Sequence, residues 1–192
     1  KRQYEVDQIN FNNFDLIAVI HPGLGQDFNL PFLDPTPEDI PSTFVDSKMI
    51  DKYFDKPFTV GTSIVNKGLI LPESQNHPLM DPSIFNSLSD PCDIQYSITG
   101  TWALMIGFAV GLPPLWNIDT GESGIGIFGL MDQGSNNGRG MIPSIPNPWT
   151  RIHAGWEDPV EYSSPQTINL GNLKKNNIAK IHLNDSEYFL IE

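Results

Sequence analysis

The sequence predicts an α+β fold, and three observations support this prediction. Short apolar runs rich in β-branched residues, such as residues 14–20, are typical of strands. One longer apolar stretch, residues 97–112, has the length of a helix. The segments between these runs contain most of the 17 prolines and 16 glycines, which favour loops. We therefore expect a single domain over residues 1–192, with strands, one dominant helix and long loops.

The N-terminal half is predicted to consist of strands separated by proline-rich loops. Residues 14–20 should form a buried strand that closes at His21-Pro22-Gly23. A long loop should follow over residues 22–57, because its prolines fix φ and lack a backbone donor. The remaining expectations for this half are a short helix or strand at 45–53, strands at 58–65 and 68–71 joined by a hairpin turn at Asn66-Lys67-Gly68, and a loop at 72–91.

The C-terminal half contains the main helix, at residues 97–112, with Ser97 or Thr99 available as its N-cap. Two prolines after residue 112 stop it. Residues 102–110 are apolar or glycine on every side, so the helix is expected to be buried all round. The other expectations are little regular structure at 117–148, a second helix near 147–155, and strands at 166–170 and 178–192.

Charge and hydropathy limit the partners. The chain has 23 acidic residues against 11 basic ones, and its formal net charge of −12 repels nucleic acid and anionic membrane surfaces. The most apolar stretch, residues 98–112, is too short to span a bilayer. We therefore expect a globular protein without a nucleic-acid partner or a membrane span.

Common catalytic and cofactor patterns are weak in this chain. The only cysteine, Cys92, has acidic neighbours that disfavour a reactive thiolate. Residues 124–129 match the pattern G-x-G-x-x-G but lack the preceding strand and following helix of a dinucleotide site. No serine has the context of a nucleophile elbow. The histidines are far apart in sequence, which gives no sign of a metal site: His21, His77, His153 and His182.

Several motifs occur in a fixed order along the chain. They are the early His21-Pro22-Gly23-Leu24-Gly25, then Gly111-Leu112-Pro113 after the helix, Gly129-Leu130-Met131, Gly155-Trp156 and the final Glu187-Tyr188-Phe189-Leu190-Ile191-Glu192. This order resembles the immune inhibitor A family of secreted bacterial zinc peptidases, from about residue 14 to the end. The resemblance implies a zincin-like fold, in which a mixed twisted sheet lies beside a central buried helix, with a loop-rich C-terminal half. It also implies an extracellular or cell-surface location. Because the chain stops within a predicted strand, we expect a piece of a longer protein.

The family's catalytic motif falls on apolar side chains in this chain. Aligned on the glycines of the helix, its two zinc-binding histidines fall on Leu104 and Phe108, its glutamate on Met105 and its third ligand on Pro114. Two histidines four residues apart bind one zinc ion, and the glutamate takes a proton from the metal-bound water. The leucine, phenylalanine and proline side chains offer no donor atom for zinc, and methionine has a soft sulfur at best. Met131 falls at the family's Met-turn, so the resemblance implies that the fold is kept while the metal and the catalytic residues are lost.

Three functions stay open at this point. In the first, the inactive domain binds a protein or peptide segment, or a neighbouring subunit or domain, in the former substrate cleft. In the second, the domain is only structural, and Leu104, Met105 and Phe108 fill that cleft. In the third, the chain is an active secreted metallopeptidase with an unrecognised metal site.

Two further groups of residues are weaker candidates. Asp119, Glu122 and Asp132 flank the glycine-rich loop and could supply oxygens to calcium, although they lack the EF-hand spacing. The four tryptophans could line a groove, although aromatic core packing is the more common role: Trp102, Trp116, Trp149 and Trp156.

Overall fold

The computed structural model describes residues 10–27, 38–54, 58–60, 62–75, 97–164, 166–170 and 177–192. Within these ranges the helices are α1 (Ser47–Tyr53), α2 (Thr99–Ala109) and α3 (Pro148–His153). The strands are β1 (Ile17–Gly25), β2 (Thr43–Val45), β3 (Thr59–Val60), β4 (Ser63–Ile64), β5 (Gly68–Gln75), β6 (Val160–Tyr162), β7 (Ala179–His182) and β8 (Tyr188–Ile191). The predicted α+β class is confirmed. None of these described helices is both long and apolar enough to cross a membrane.

Strand β5 is the centre of a mixed sheet with the order β1-β5-β2. It pairs in parallel with β1 and antiparallel with β2. The register between β1 and β5 shifts after His21 pairs with Pro72. Pro72 has no N–H to donate, so the regular ladder cannot continue through it. Beyond the shift, Gly25 pairs with Gln75, and this brings the ends of both strands together.

The strand predicted at residues 14–20 forms at Ile17–Gly25 and so continues through the segment where it was predicted to close. The prediction that it is buried is wrong. Leu69 and Leu71 of the central strand β5 are 1% and 0% exposed, whereas Val19 and Ile20 of β1 are 56% and 58% exposed. Successive strand residues point to opposite faces of a sheet. Both faces of β1 are therefore accessible at this point, because the described part of the chain leaves them uncovered.

The predicted hairpin turn at Asn66-Lys67-Gly68 is also wrong. Strand β4 pairs with β3, through Thr59↔Ile64 and Val60↔Ser63. Both edges of β5 are already taken by β1 and β2, so β5 has no edge left for β4. Lys67 instead reaches the end of α2, where its Nζ donates to the carbonyl oxygen of Ala109 at 3.2 Å.

Helix α2 forms where a helix is predicted, but its ends differ. The N-cap position is Ile98, whose side chain cannot cap, and Thr99 is already helical. Ser97 Oγ accepts a hydrogen bond from the Thr99 N–H at 3.2 Å. At the other end, Gly111 has φ +91°, and the Leu112 N–H donates to the Gly107 carbonyl at 2.9 Å. This left-handed glycine termination ends the helix before the prolines are reached.

The prediction that α2 is buried on all sides is wrong. Its buried residues are Gly100, Thr101 and Gly107, while Ile106 is 43% exposed. A Cβ at Gly100 would lie 1.7 Å from the Ser135 carbonyl oxygen. The glycines therefore lie on the buried face of α2, where the helix packs closely on the loop beneath it. Apolar composition alone does not identify that face. A small core of Leu112, Leu130 and Met131 lies under α2.

The C-terminal half is rich in loops, as predicted. Residues 117–147 form only short 3₁₀ turns, at Gly126–Phe128 and Gln133–Asn136. Helix α3 begins after Asn147, whose side-chain oxygen accepts from the Thr150 N–H at 2.9 Å. Strands β7 and β8 pair antiparallel within the predicted segment 178–192, and β6 joins β7 in parallel. No strand forms at residues 166–170, where a strand was predicted.

Candidate binding site

A pocket of about 490 Å³ lies beside α2. One wall belongs to the helix, and the others come from the ends of β1 and β5, from the residues just before β2, and from the loop after α2. The lining residues are Asp27, Pro41, Ser42, Gln75, Thr101, Leu104, Met105, Phe108, Trp116, Gly121, Asp132, Gln133, Ser135 and Asn136.

The apolar wall of this pocket contains three of the four positions onto which the catalytic motif falls. Leu104, Met105 and Phe108 are half-buried and line the pocket without filling it. The Phe108 ring stacks on Phe44 of β2, with centroids 6.4 Å apart. It also meets the Trp116 ring edge-on at 5.8 Å. Pro114 is half-buried and is not among the lining residues.

These side chains do not fit a zinc ion. Leucine, phenylalanine and proline have no donor atom, and Met105 offers only a soft thioether sulfur. Across the described ranges, no three His, Cys, Asp or Glu side chains come together where they could share a metal. Asp119, Glu122 and Asp132 are not brought together as such a group, and calcium binding by them stays a prediction. His77 and Cys92 lie outside the described residues.

Met131 lies directly beneath the helix. Its side chain is fully buried, and a Cβ at Gly107 would come within 2.6 Å of its sulfur. Its carbonyl oxygen accepts a hydrogen bond from the Leu115 N–H at 2.9 Å. Met131 thus anchors the loop after α2 to the underside of the helix.

The glycine-rich loop at 123–126 surrounds the carboxylate of Asp132. One oxygen, Oδ2, accepts from the Ser123 hydroxyl and from the N–H groups of Gly124, Ile125 and Gly126, all at 2.8–2.9 Å. The other oxygen accepts from the Gln133 N–H at 2.8 Å. Burial raises the pKa of Asp132, but these hydrogen bonds outweigh burial and lower the pKa below its ordinary value. Where a dinucleotide-binding loop would present its N–H groups to phosphate, this loop presents them to its own aspartate.

Gln75, at the end of β5, forms part of the polar wall. Its side chain is 3% exposed, and its Oε1 accepts a short hydrogen bond from the Thr101 hydroxyl of α2. Its Nε2 is buried and has no hydrogen-bond partner within the described part of the chain. A buried amide nitrogen without an acceptor is costly, by about 1–3 kcal/mol.

Asp27 follows β1 and lies on the same side of the pocket. Its carboxylate accepts from the Ser42 N–H at 2.6 Å and from the Ser42 hydroxyl at 3.0 Å. Burial raises the pKa of Asp27, and the Ser42 hydrogen bonds and the nearby His21 offset only part of that rise. The bonds to Ser42 fix the approach of the chain to β2.

Sequence reasoning did not identify Asp27 or Gln75. The signal that could have found them is their position at the ends of two strands, since the carboxyl ends of parallel neighbours lie at the same sheet edge. Of the four tryptophans only Trp116 lines the pocket. Trp149 stacks on His153 at 4.9 Å, Trp102 is half-buried, and Trp156 is 52% exposed.

Comparisons of the chain with protein-family models, with curated proteins and with solved structures found no match. The resemblance to the immune inhibitor A family, and the zincin-like fold that it implies, therefore stay predictions.

Proposed function

We propose that the chain is a catalytically inactive, metallopeptidase-like domain with a zincin-like fold that binds an extended peptide segment in the pocket beside α2. The observation that carries this proposal is the open volume of about 490 Å³ in front of Leu104, Met105 and Phe108. A purely structural domain would need these side chains to fill the former cleft. The open pocket favours binding.

The walls of the pocket suit a peptide. Phe108 and Trp116 offer aromatic surface to an apolar side chain. Strand β2 is at the edge of its sheet within the described residues, and Pro41 and Ser42, just before it, line the pocket. A segment that enters here can add as a further strand along β2, which is a common mode of peptide recognition.

The rest of the proposal follows from the resemblance. The domain belongs to a secreted or surface-attached protein, and the bound segment comes from another protein or from a neighbouring subunit or domain. It requires no metal and no cofactor, because the side chains at the former catalytic positions do not fit zinc.

The test is peptide binding by variants that differ in one helix position. Met105→Trp places a bulky ring in the pocket, whereas Ile106→Trp places the same ring on the exposed side of α2. We expect the unmodified protein to bind a subset of an array of random decapeptides. Met105→Trp should reduce this binding at least tenfold, while Ile106→Trp should leave it unchanged.

Two results would contradict the proposal. If the unmodified protein bound no peptide, or if Met105→Trp bound as well as the unmodified protein, the pocket would not be the binding site. A different pair of results would instead establish an active enzyme. The protein would cleave casein until a chelator is added, and mass spectrometry would find stoichiometric zinc.

A further inference from the structure

Asn137-Gly138 is the only asparagine–glycine pair in the sequence. The side-chain amide of an asparagine before glycine is open to attack by the next backbone nitrogen, because glycine has no Cβ to shield that nitrogen. Gly138 is exposed and has φ +57°, and Asn137 beside it is half-buried. This pair is therefore the position where spontaneous loss of a side-chain amide is chemically easiest in this chain.

The loss of the amide takes two steps. In the first, Gly138 N attacks Asn137 Cγ and the new N–C bond closes a five-membered succinimide ring. The side-chain nitrogen leaves as ammonia and takes the proton of the Gly138 N–H with it. In the second, water adds to one of the two ring carbonyls and breaks its bond to the ring nitrogen, which leaves aspartate or isoaspartate. Water is the only co-reactant, and nothing is oxidised or reduced.

The fold holds the Asn137 side chain in a geometry that prevents ring closure. Its Nδ2 donates to the Ser144 hydroxyl oxygen at 2.8 Å and to the Ile127 carbonyl at 3.0 Å. The Ser144 hydroxyl donates to the same carbonyl at 2.6 Å. We call these three groups the amide clamp. Asn137 also has ψ 141°, whereas the ring needs a negative ψ that brings Cβ and Gly138 N to the same side of the Cα–C bond. The clamp must therefore open before the amide can react.

The loop at residues 137–142 also receives the start of α2. Ile98 at the N-cap offers no side-chain acceptor, and the Gly100 N–H donates instead to the Gly140 carbonyl at 2.9 Å. The Ser97 N–H donates to the Arg139 carbonyl at 2.9 Å. A Cβ at Gly140 would lie 2.1 Å from the Ser97 carbonyl oxygen. The first turn of α2 is thus in close contact with this loop and depends on its position.

We propose that Asn137 is a site of spontaneous deamidation that the amide clamp controls, and that its conversion to aspartate or isoaspartate releases the loop from the first turn of α2. Neither product can rebuild the clamp, since a carboxylate has no N–H to donate to the Ile127 carbonyl. The change runs in one direction, so an intact Asn137 marks protein that has stayed folded. This inference does not depend on peptide binding.

Deamidation rates of the intact protein test the control by the clamp. Samples are held at mildly alkaline pH, and proteolysis with mass spectrometry follows the conversion of Asn137. We expect this conversion to be at least about tenfold slower in the folded protein than in guanidinium chloride, where the clamp is open.

Ser144→Ala removes one acceptor of the clamp. It should raise the deamidation rate of Asn137 about fivefold, because the loss of one hydrogen bond shifts an opening equilibrium by about that factor. The matched control is Ser186→Ala, which removes the same hydroxyl from an exposed residue between β7 and β8 and should leave the rate unchanged. Circular dichroism establishes that both variants are folded.

Asn137→Asp supplies a product side chain directly and tests the effect on α2. Hydrogen exchange at the Gly100 amide should become about tenfold faster than in the unmodified protein, because the loop no longer holds this donor. Asn136→Asp adds the same charge one residue earlier, at a side chain whose hydrogen bond to Gln133 is long, at 3.4 Å. It should change the exchange at Gly100 by at most about twofold.

Three results would overturn the proposal. Equal rates in the folded protein and in guanidinium chloride, or in Ser144→Ala and the unmodified protein, show that the clamp does not control the reaction. Absence of deamidation at Asn137 in guanidinium chloride removes the modification site. Unchanged exchange at Gly100 in Asn137→Asp removes the effect on α2. If Ser144→Ala does not fold, the folded and unfolded rates of the unmodified protein still decide.

Discussion

Asp132 is a buried carboxylate whose partners are mostly backbone N–H groups. A glycine-rich turn presents three consecutive donors, and the aspartate six to eight residues later fills the space between them. Such a nest of N–H groups would otherwise attract an external anion. By closing the nest internally, Asp132 fixes the loop that forms one side of the pocket.

We expect Asp132→Asn to destabilise the protein by about 3 kcal/mol at pH 7, because hydrogen bonds to a charged group are each worth about 1.5–3 kcal/mol and an amide cannot accept them all. The pKa of Asp132 is lowered in the folded state, so its carboxylate stabilises the fold above the ordinary aspartate pKa of about 3.9. This contribution is lost as the pH falls through the lowered pKa. The difference in unfolding free energy between the unmodified protein and Asp132→Asn should therefore be smaller at pH 3 than at pH 7.

Urea unfolding at pH 7 and pH 3 measures both parts of this prediction. The exposed Asp119→Asn is the control, and its effect should stay within about 0.5 kcal/mol at pH 7. If the difference in unfolding free energy between the unmodified protein and Asp132→Asn is the same at both pH values, the charge of Asp132 does not cause the stabilisation.

Among the secondary-structure elements, α2 is positioned by two glycines that meet different neighbours. A Cβ at Gly100 would meet the backbone carbonyl of Ser135, at 1.7 Å, whereas one at Gly107 would meet the side-chain sulfur of Met131, at 2.6 Å. A backbone group can move only with its whole loop, while a thioether can change rotamer. The two glycines should therefore tolerate alanine to different degrees.

We expect Gly100→Ala to destabilise the protein by about 2–3 kcal/mol, because the cost of overpacking exceeds the gain of up to about 1 kcal/mol in helix propensity. Gly107→Ala should cost less, about 1 kcal/mol, since Met131 can adjust. Thermal and urea unfolding measure which of the two variants loses more stability. Val110→Ala, at a position that is 61% exposed, is the control with a small effect. A greater loss for Gly107→Ala than for Gly100→Ala would contradict this account of the packing.

The elements that sequence predicted well are those with local signals. Helix α3 has its Asn147 cap and a proline at its first turn, and α2 has an unbroken apolar run. The hairpin before β5 and the burial of β1 were predicted wrongly, because pairing partners and neighbouring layers are non-local. Strand β5 also continues through Pro72 to Gln75, where sequence predicted a loop.

The same distinction applies to the candidate site. Leu104, Met105 and Phe108 are neighbours on one helix, so a motif-based alignment placed them together before the structure was known. Asp27 and Gln75 are 48 positions apart, and only the parallel register of β1 and β5 brings them to one pocket. No local pattern encodes that register, so the polar wall could not be predicted.

At the scale of the whole molecule, Arg151 connects parts of the C-terminal half that share little apolar core. Its guanidinium donates to the Pro146 carbonyl at 2.7 Å, to Glu157 at 3.0 Å and to Glu192. Glu157 in turn accepts from the Asn177 N–H at 3.1 Å, next to the buried Ile178 that precedes β7. One side chain of α3 thus holds together the helix, the loop before it and the last sheet.

We expect Arg151→Met to destabilise the protein by about 3 kcal/mol, because the loss of one partner leaves poorly solvated carboxylates without a counter-charge. The Arg151 and Glu157 side chains are only 14% and 11% exposed. Arg151→Lys should be intermediate, since lysine keeps the charge but cannot donate in a planar fork. The matched control is Lys180→Met, which breaks the more exposed ion pair to Glu161, with side chains 22% and 59% exposed, and should shift the urea midpoint far less. Equal losses for Arg151→Met and Lys180→Met would mean that burial of the Arg151 ion pairs adds nothing to their contribution.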